Sequence, residues 1–93
     1  MSHFAVHYHY VDDVALLAKH RPAHREFLRS LVGHGLLAAG AYPQAEEPSA
    51  LLIVEADSPQ AVATMLDADP FLAQGAIAKR RIMLWDPPIG VFA

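Results

Sequence analysis

Apolar and polar residues alternate from His3 to Val11. Phe4, Val6, Tyr8 and Tyr10 point one way, and His3, Ala5, His7 and His9 the other. A period of two predicts a strand. Asp12 and Asp13 end it, and Val14 to His20 is expected to form a turn or a short helical lead-in. The period then changes. From Arg21 to Leu36, His24, Phe27, Leu28, Leu31 and Val32 follow a 3.6-residue repeat, while Arg21, Arg25, Glu26 and Arg29 fall mostly outside that stripe. This predicts an amphipathic helix with Pro22 in its first turn, where a missing N–H costs nothing. Gly33 and Gly35 bracket its end.

Two further strands follow. Leu36 to Tyr42 is an apolar run in which Gly40 suggests a bulge or a close backbone approach. Pro43 to Ser49 is a polar loop. Ala50 to Ala56 carries Leu51 and Ile53 on one face and Leu52 and Val54 on the other, which indicates a central strand covered on both sides. Ser58-Pro59 is a cap-plus-proline helix start, and the helix is expected to run to about Asp67. Asp69-Pro70 repeats the signal and opens a short turn closed by Gly75. Ile77 to Trp85 is the last strand, stopped by Pro87-Pro88. The apolar tail, Ile89 to Ala93, is expected to dock on a partner.

The order β-α-β-β-α-β predicts one ferredoxin-like α+β domain over residues 1–93. In that fold a four-stranded antiparallel sheet carries both helices on one face. Its other face has no cover, yet the third strand is apolar there too. A second copy is the economical cover, so a homodimer packed through the open sheet faces is expected.

Composition narrows the function. A chain of 93 residues that is 54% hydrophobic carries more apolar surface than so small a domain buries alone. A net charge of −3 argues against nucleic acid, and the run Lys79, Arg80 and Arg81 would be split between two strand faces. With no cysteine, disulfides, iron–sulfur clusters and thiol catalysis are excluded. The opening residues lack the pattern of a signal peptide, and no run approaches a membrane span; a cytoplasmic protein is expected.

His24 is the one polar residue on the helix's buried stripe, and a buried imidazole needs a partner. Packing the helices antiparallel brings it to the Asp67–Pro70 segment, where Asp69 is the natural acceptor. Such a pair fixes the imidazole's tautomer and is a common acid–base device. Asp69 before Pro70 is equally a complete helix cap with no chemistry attached. Arg21 and Arg25 flank His24 and are candidates for holding an anionic substrate. His7 and His9 share a strand face with His3. His-x-His can ligate a metal, but two ligands do not make a site. Pocket lining in the dimer cleft, or simple interface packing, is expected for His7 and His9, with no metal and no cofactor. Tyr8, Phe71 and Trp85 are expected in the core.

Three segments together resemble the YCII-related (YciI-like) proteins: Arg-Pro-Ala-His-Arg-Glu-Phe-Leu-Arg-Ser-Leu around His24, Gly35-Leu-Leu-Ala-Ala-Gly40, and Asp69-Pro-Phe-Leu-Ala-Gln-Gly75. The resemblance covers nearly the whole chain. It implies a dimeric α+β barrel of ferredoxin-like protomers, similar in fold to muconolactone isomerase, with His24 and Asp69 as the proposed active pair. One relative in that family removes chloride from a chlorinated hydroxyquinol. The expected function is a cofactor-free lyase- or isomerase-type proton transfer on a small cyclic or aromatic substrate. The alternative is a non-catalytic dimeric module that binds a small ligand or a protein.

Overall fold

A computed structural model describes residues 1–93. In chain order it contains β1 (Ser2–Tyr10), α1 (Val14–Leu31), β2 (Leu36–Ala41), β3 (Ser49–Ala56), α2 (Pro59–Leu66), α3 (Pro70–Ala73) and β4 (Ile77–Trp85). The strands form one antiparallel sheet in the order β2-β3-β1-β4, with β1 and β3 central. This is the four-stranded α+β arrangement expected from the element order. No helix is long and apolar enough to cross a membrane.

The alternation in β1 does what period two requires. Phe4, Val6 and Tyr8 are buried against the helices with Leu52 and Val54 of β3 and with Val62 and Leu66 of α2. The other face carries His3, Ala5, His7 and His9 beside Leu51 and Ile53, their cross-strand neighbours. A second small cluster joins Leu17 of α1 to Phe71 and Ala76. It ties the start of α1 to α3.

The first helix begins at Val14 rather than at Pro22. Asp13 caps it, its side chain accepting the Leu16 N–H at 3.0 Å. Leu17, 5% exposed, gives the early turns an apolar anchor of their own. Pro22 therefore sits inside the helix, where it removes one N–H that would bond the Ala18 carbonyl. Ala18 and Pro22 are both exposed, so water can take the lost partner's place. Cap and anchor outweigh the proline.

Gly35 follows the helix at φ 113°, and Glu55 N–H donates to its carbonyl at 2.7 Å. A Cβ at Gly35 would lie 3.2 Å from that strand's Glu55 carbonyl and would run into Met65. Close approach and backbone conformation both require glycine there. Gly40, by contrast, is not a bulge. The β2–β3 register slips earlier, between Leu36 and Ala38, and a Cβ at Gly40 would meet nothing. The tail turns back on its own sheet: Phe92 packs near Trp85 and His3, with centroids 6.1 and 6.3 Å away, while Ile89 and Val91 are exposed. Trp85 is 37% exposed on the open side of the sheet, not a core residue. Edge strand β4 has no further strand beyond it to bury that ring.

Candidate active site

His24 lies in the middle of α1 and Asp69 caps α3. They are 6% and 0% exposed. Nδ1 of His24 lies 2.8 Å from Asp69 Oδ1 and 2.9 Å from Oδ2. The Phe71 N–H also donates to Oδ1, at 2.9 Å. The cap and the dyad are thus one carboxylate serving both partners. A carboxylate only accepts, so Nδ1 carries the proton and Nε2 is the nitrogen with a free lone pair in the neutral ring.

The sequence Asp69-Pro70-Phe71 supplies more than the acceptor. Phe71, buried at 1% exposure, presents its ring face to His24; the centroids are 3.9 Å apart and the planes 5° from parallel. The imidazole is therefore held in its plane by a hydrogen bond and against its face by a ring. Tyr10 meets Phe71 edge-on at 5.4 Å and 77°.

A cavity of about 240 Å³ opens beside this group. Tyr10, His24 and Phe71 form one wall, Arg21, Arg25 and Leu28 another, and Ala39, Gly40, Ala41, Ala50 and Leu52 the floor. Ala39 and Ala41 pair with Leu52 and Ala50, whose side chains face the helices. Cross-strand partners share a face, so both alanine methyls point toward α1. Their small size leaves the space. Arg21, Arg25 and Arg29 have no acidic partner; the ion pairs of the chain are His3–Glu55, His24–Asp69 and Arg80–Asp67. The cavity mouth is therefore cationic in a chain whose net charge is negative.

Two tyrosines flank the carboxylate. Burial, then the charge of Asp69, pushes the Tyr10 phenol above its ordinary value, and Arg21 and Arg25 partly offset this. Tyr8 is raised by burial and then by Asp69, with the nearby Arg80 guanidinium pulling the other way; that guanidinium bonds Asp67 at 3.0 Å and makes no well-formed hydrogen bond to the Tyr8 hydroxyl. Both phenols stay protonated in neutral solution.

The structure brings His24, Asp69, Arg21 and Arg25 to one cavity. It places His7 and His9 on the opposite face of the sheet, in a separate groove of about 530 Å³ with Tyr42, Pro43 and Ser49. There the His7 ring stacks on Tyr42 at 6.4 Å. No three His, Asp or Glu side chains come together as a metal-binding group. Tyr10 and the alanine floor are cavity residues that sequence reasoning missed. The run of small residues from Ala38 to Ala41 was the available signal: past Leu36 the strand has nothing large to bury and leaves a gap under its helix.

The match to a domain family decides the kinship, since the YCII-related domain model fits residues 1–86. The chain belongs to the YCII-related domain family. No curated protein matches it. Among solved structures it is similar to 5-chloro-2-hydroxyhydroquinone dehydrochlorinase (TftG) from Burkholderia phenoliruptrix AC1100, in complex with 2,5-dihydroxybenzoquinone. The TM-score is 0.75 at 22% identity, over 90% of this chain and 93% of that one. At that identity the likeness speaks for the shared YCII fold.

Proposed function

We propose that this YCII-related protein is a small acid–base enzyme acting without a cofactor on a small cyclic or aromatic, carbonyl-bearing substrate. His24 Nε2 takes a proton from the substrate and returns one, and Asp69 holds the tautomer that makes this possible. Arg21 and Arg25 hold an anionic group of the substrate at the cavity mouth. The reaction class is lyase or isomerase. The observation that carries this reading is the His24 ring itself: Nδ1 is tied to a buried carboxylate and the ring is stacked in place, while Nε2 has no partner in the chain and the residue lines a cavity. That a protein of the same fold binds 2,5-dihydroxybenzoquinone supports a small oxygenated ring as ligand.

The chain acts in this reading as one domain and as a homodimer. The open sheet face carries an apolar strip of half-buried Ala5, Leu51 and Met83 with exposed Trp85, which a second copy would cover. His7 and His9 lie on that face, so any contact they make with substrate would come through the dimer cleft and not through the His24 cavity. A second reading, a non-catalytic binding module, is favoured by the Asp69 bond to the Phe71 amide, which gives the pair a structural task as well.

A screen of hydroxyquinones, chlorinated hydroquinols and cyclic enol lactones with wild type and His24→Ala separates the two. The enzyme reading expects turnover by wild type that falls about 10²–10⁴-fold in His24→Ala. Ligand binding that survives His24→Ala, with no turnover by wild type, would favour the module.

A further inference from the structure

We propose that Tyr10 is a further catalytic residue, whose hydroxyl donates a hydrogen bond to the substrate oxygen that gathers negative charge when His24 takes a proton. The proposal rests on the acid–base reading of His24.

Tyr10 is the last residue of β1, and its placement is not that of the tyrosine before it. Tyr8 is fully buried in the core. At Tyr10 the β1–β4 ladder slips by one residue: His9 pairs with Lys79, but Tyr10 pairs with Ile77. Such a slip increases local twist and re-aims side chains, and slips of this kind occur beside active sites. The Tyr10 N–H leaves the sheet ladder for the loop, donating to the Pro48 carbonyl at 2.9 Å. The ring then closes the cavity wall against the edge of Phe71.

The hydroxyl is the polar end of a side chain that lines the cavity. It makes no hydrogen bond within the chain. It is also not sealed away as the Tyr8 hydroxyl is, which leaves it open to a ligand. The charges that act on it are those of Asp69, Arg21 and Arg25. Burial and Asp69 keep the phenol protonated, so it can donate and does not compete as a base. A donor aimed at developing charge in a partly dry cavity is worth more than the same donor in water.

The step balances without a further reagent. His24 Nε2 forms a bond to a substrate proton alpha to a carbonyl. The electron pair of the broken C–H bond moves toward the carbonyl oxygen, giving an enolate. Tyr10 O–H stabilises that oxygen, and the imidazolium returns the proton at another atom or supplies it to a departing group.

The test uses 4-nitrophenolate as an oxyanion probe and 4-nitroanisole as its neutral counterpart. Both are titrated into wild type, Tyr10→Phe and Tyr8→Phe, with the imidazole signals of His24 followed by NMR. Wild type is expected to prefer the phenolate and to move the His24 signals. Tyr10→Phe should lose about tenfold or more of that preference while binding 4-nitroanisole as before, which also shows that the cavity is intact. Tyr8→Phe should keep the preference. Full preference in Tyr10→Phe would overturn the role of Tyr10 and leave the acid–base reading standing. No binding of the phenolate by wild type, with His24 unmoved, would overturn both.

Discussion

Asp69 and His24 are joined across 45 residues of sequence by a carboxylate that straddles Nδ1, at 2.8 and 2.9 Å, with both side chains buried. The same carboxylate caps α3 through the Phe71 amide. Its two tasks can be separated by substitution. In Asp69→Asn the amide oxygen still accepts the Phe71 N–H, but the amide nitrogen can face Nδ1 only if Nδ1 is the acceptor. The tautomer inverts and the proton moves to Nε2. Stability should fall by about 1 kcal/mol, while any turnover falls about 10²–10⁴-fold. Asp69→Ala removes cap and acceptor together and should cost about 3 kcal/mol or more. Urea unfolding of both variants checks the order. Equal losses would mean that the cap contributes nothing.

Tyr8 sets the alkaline behaviour. Its hydroxyl is buried and unpartnered, and burial followed by the charge of Asp69 raises its pKa above the ordinary 10.0. The folded chain keeps the proton where the unfolded chain releases it. Below pH 10 both states hold it and this term is constant. Above about pH 10 the unfolded state binds fewer protons, and stability falls by about 1.4 kcal/mol per pH unit from this residue. Tyr10, also raised, adds in the same direction. Tyr8→Phe should match or exceed wild type by up to about 1 kcal/mol near neutrality, because an unsatisfied buried hydroxyl is gone. It should also lose less stability than wild type between about pH 8 and about pH 11. Denaturant midpoints at the two pH values measure this, and equal losses would contradict it.

The cavity exists because β2 presents alanines to α1. Ala39→Leu fills it from the floor. Ala39 is exposed on an edge strand, so the fold should hold to within about 0.5 kcal/mol. Binding of 4-nitrophenolate should drop at least about tenfold. Unchanged binding would place the ligand elsewhere, with the groove of His7 and Tyr42 as the first alternative.

Much of this was legible from the chain. Period two in β1, the Ser58-Pro59 start of α2, and the isolated histidine on an apolar stripe all follow from local rules that the tertiary structure respects. The pairing of His24 with Asp69 was legible because burial left the imidazole few candidates. The start of α1 was not. Proline at a first turn is a strong local preference, but Leu17 gains its burial from Phe71 and Ala76, far along the sequence. The same holds for Tyr10. Alternation puts it in line with Phe4, Val6 and Tyr8, and only the slip against β4 and the absence of bulk on β2 turn it from a core residue into a cavity wall. The cap and the dyad looked like rival explanations of Asp69 because one oxygen's capacity to serve two donors is not visible in spacing.

The acid–base role of His24 depends on which of its nitrogens carries the proton. ¹⁵N NMR of the imidazole, with the residue identified by comparison with His24→Ala, reads this directly in the neutral ring. A protonated Nδ1 and a free Nε2 are expected in wild type, inverted in Asp69→Asn. A proton on Nε2 in wild type would mean that Asp69 does not orient the ring, and the acid–base site would have to be abandoned.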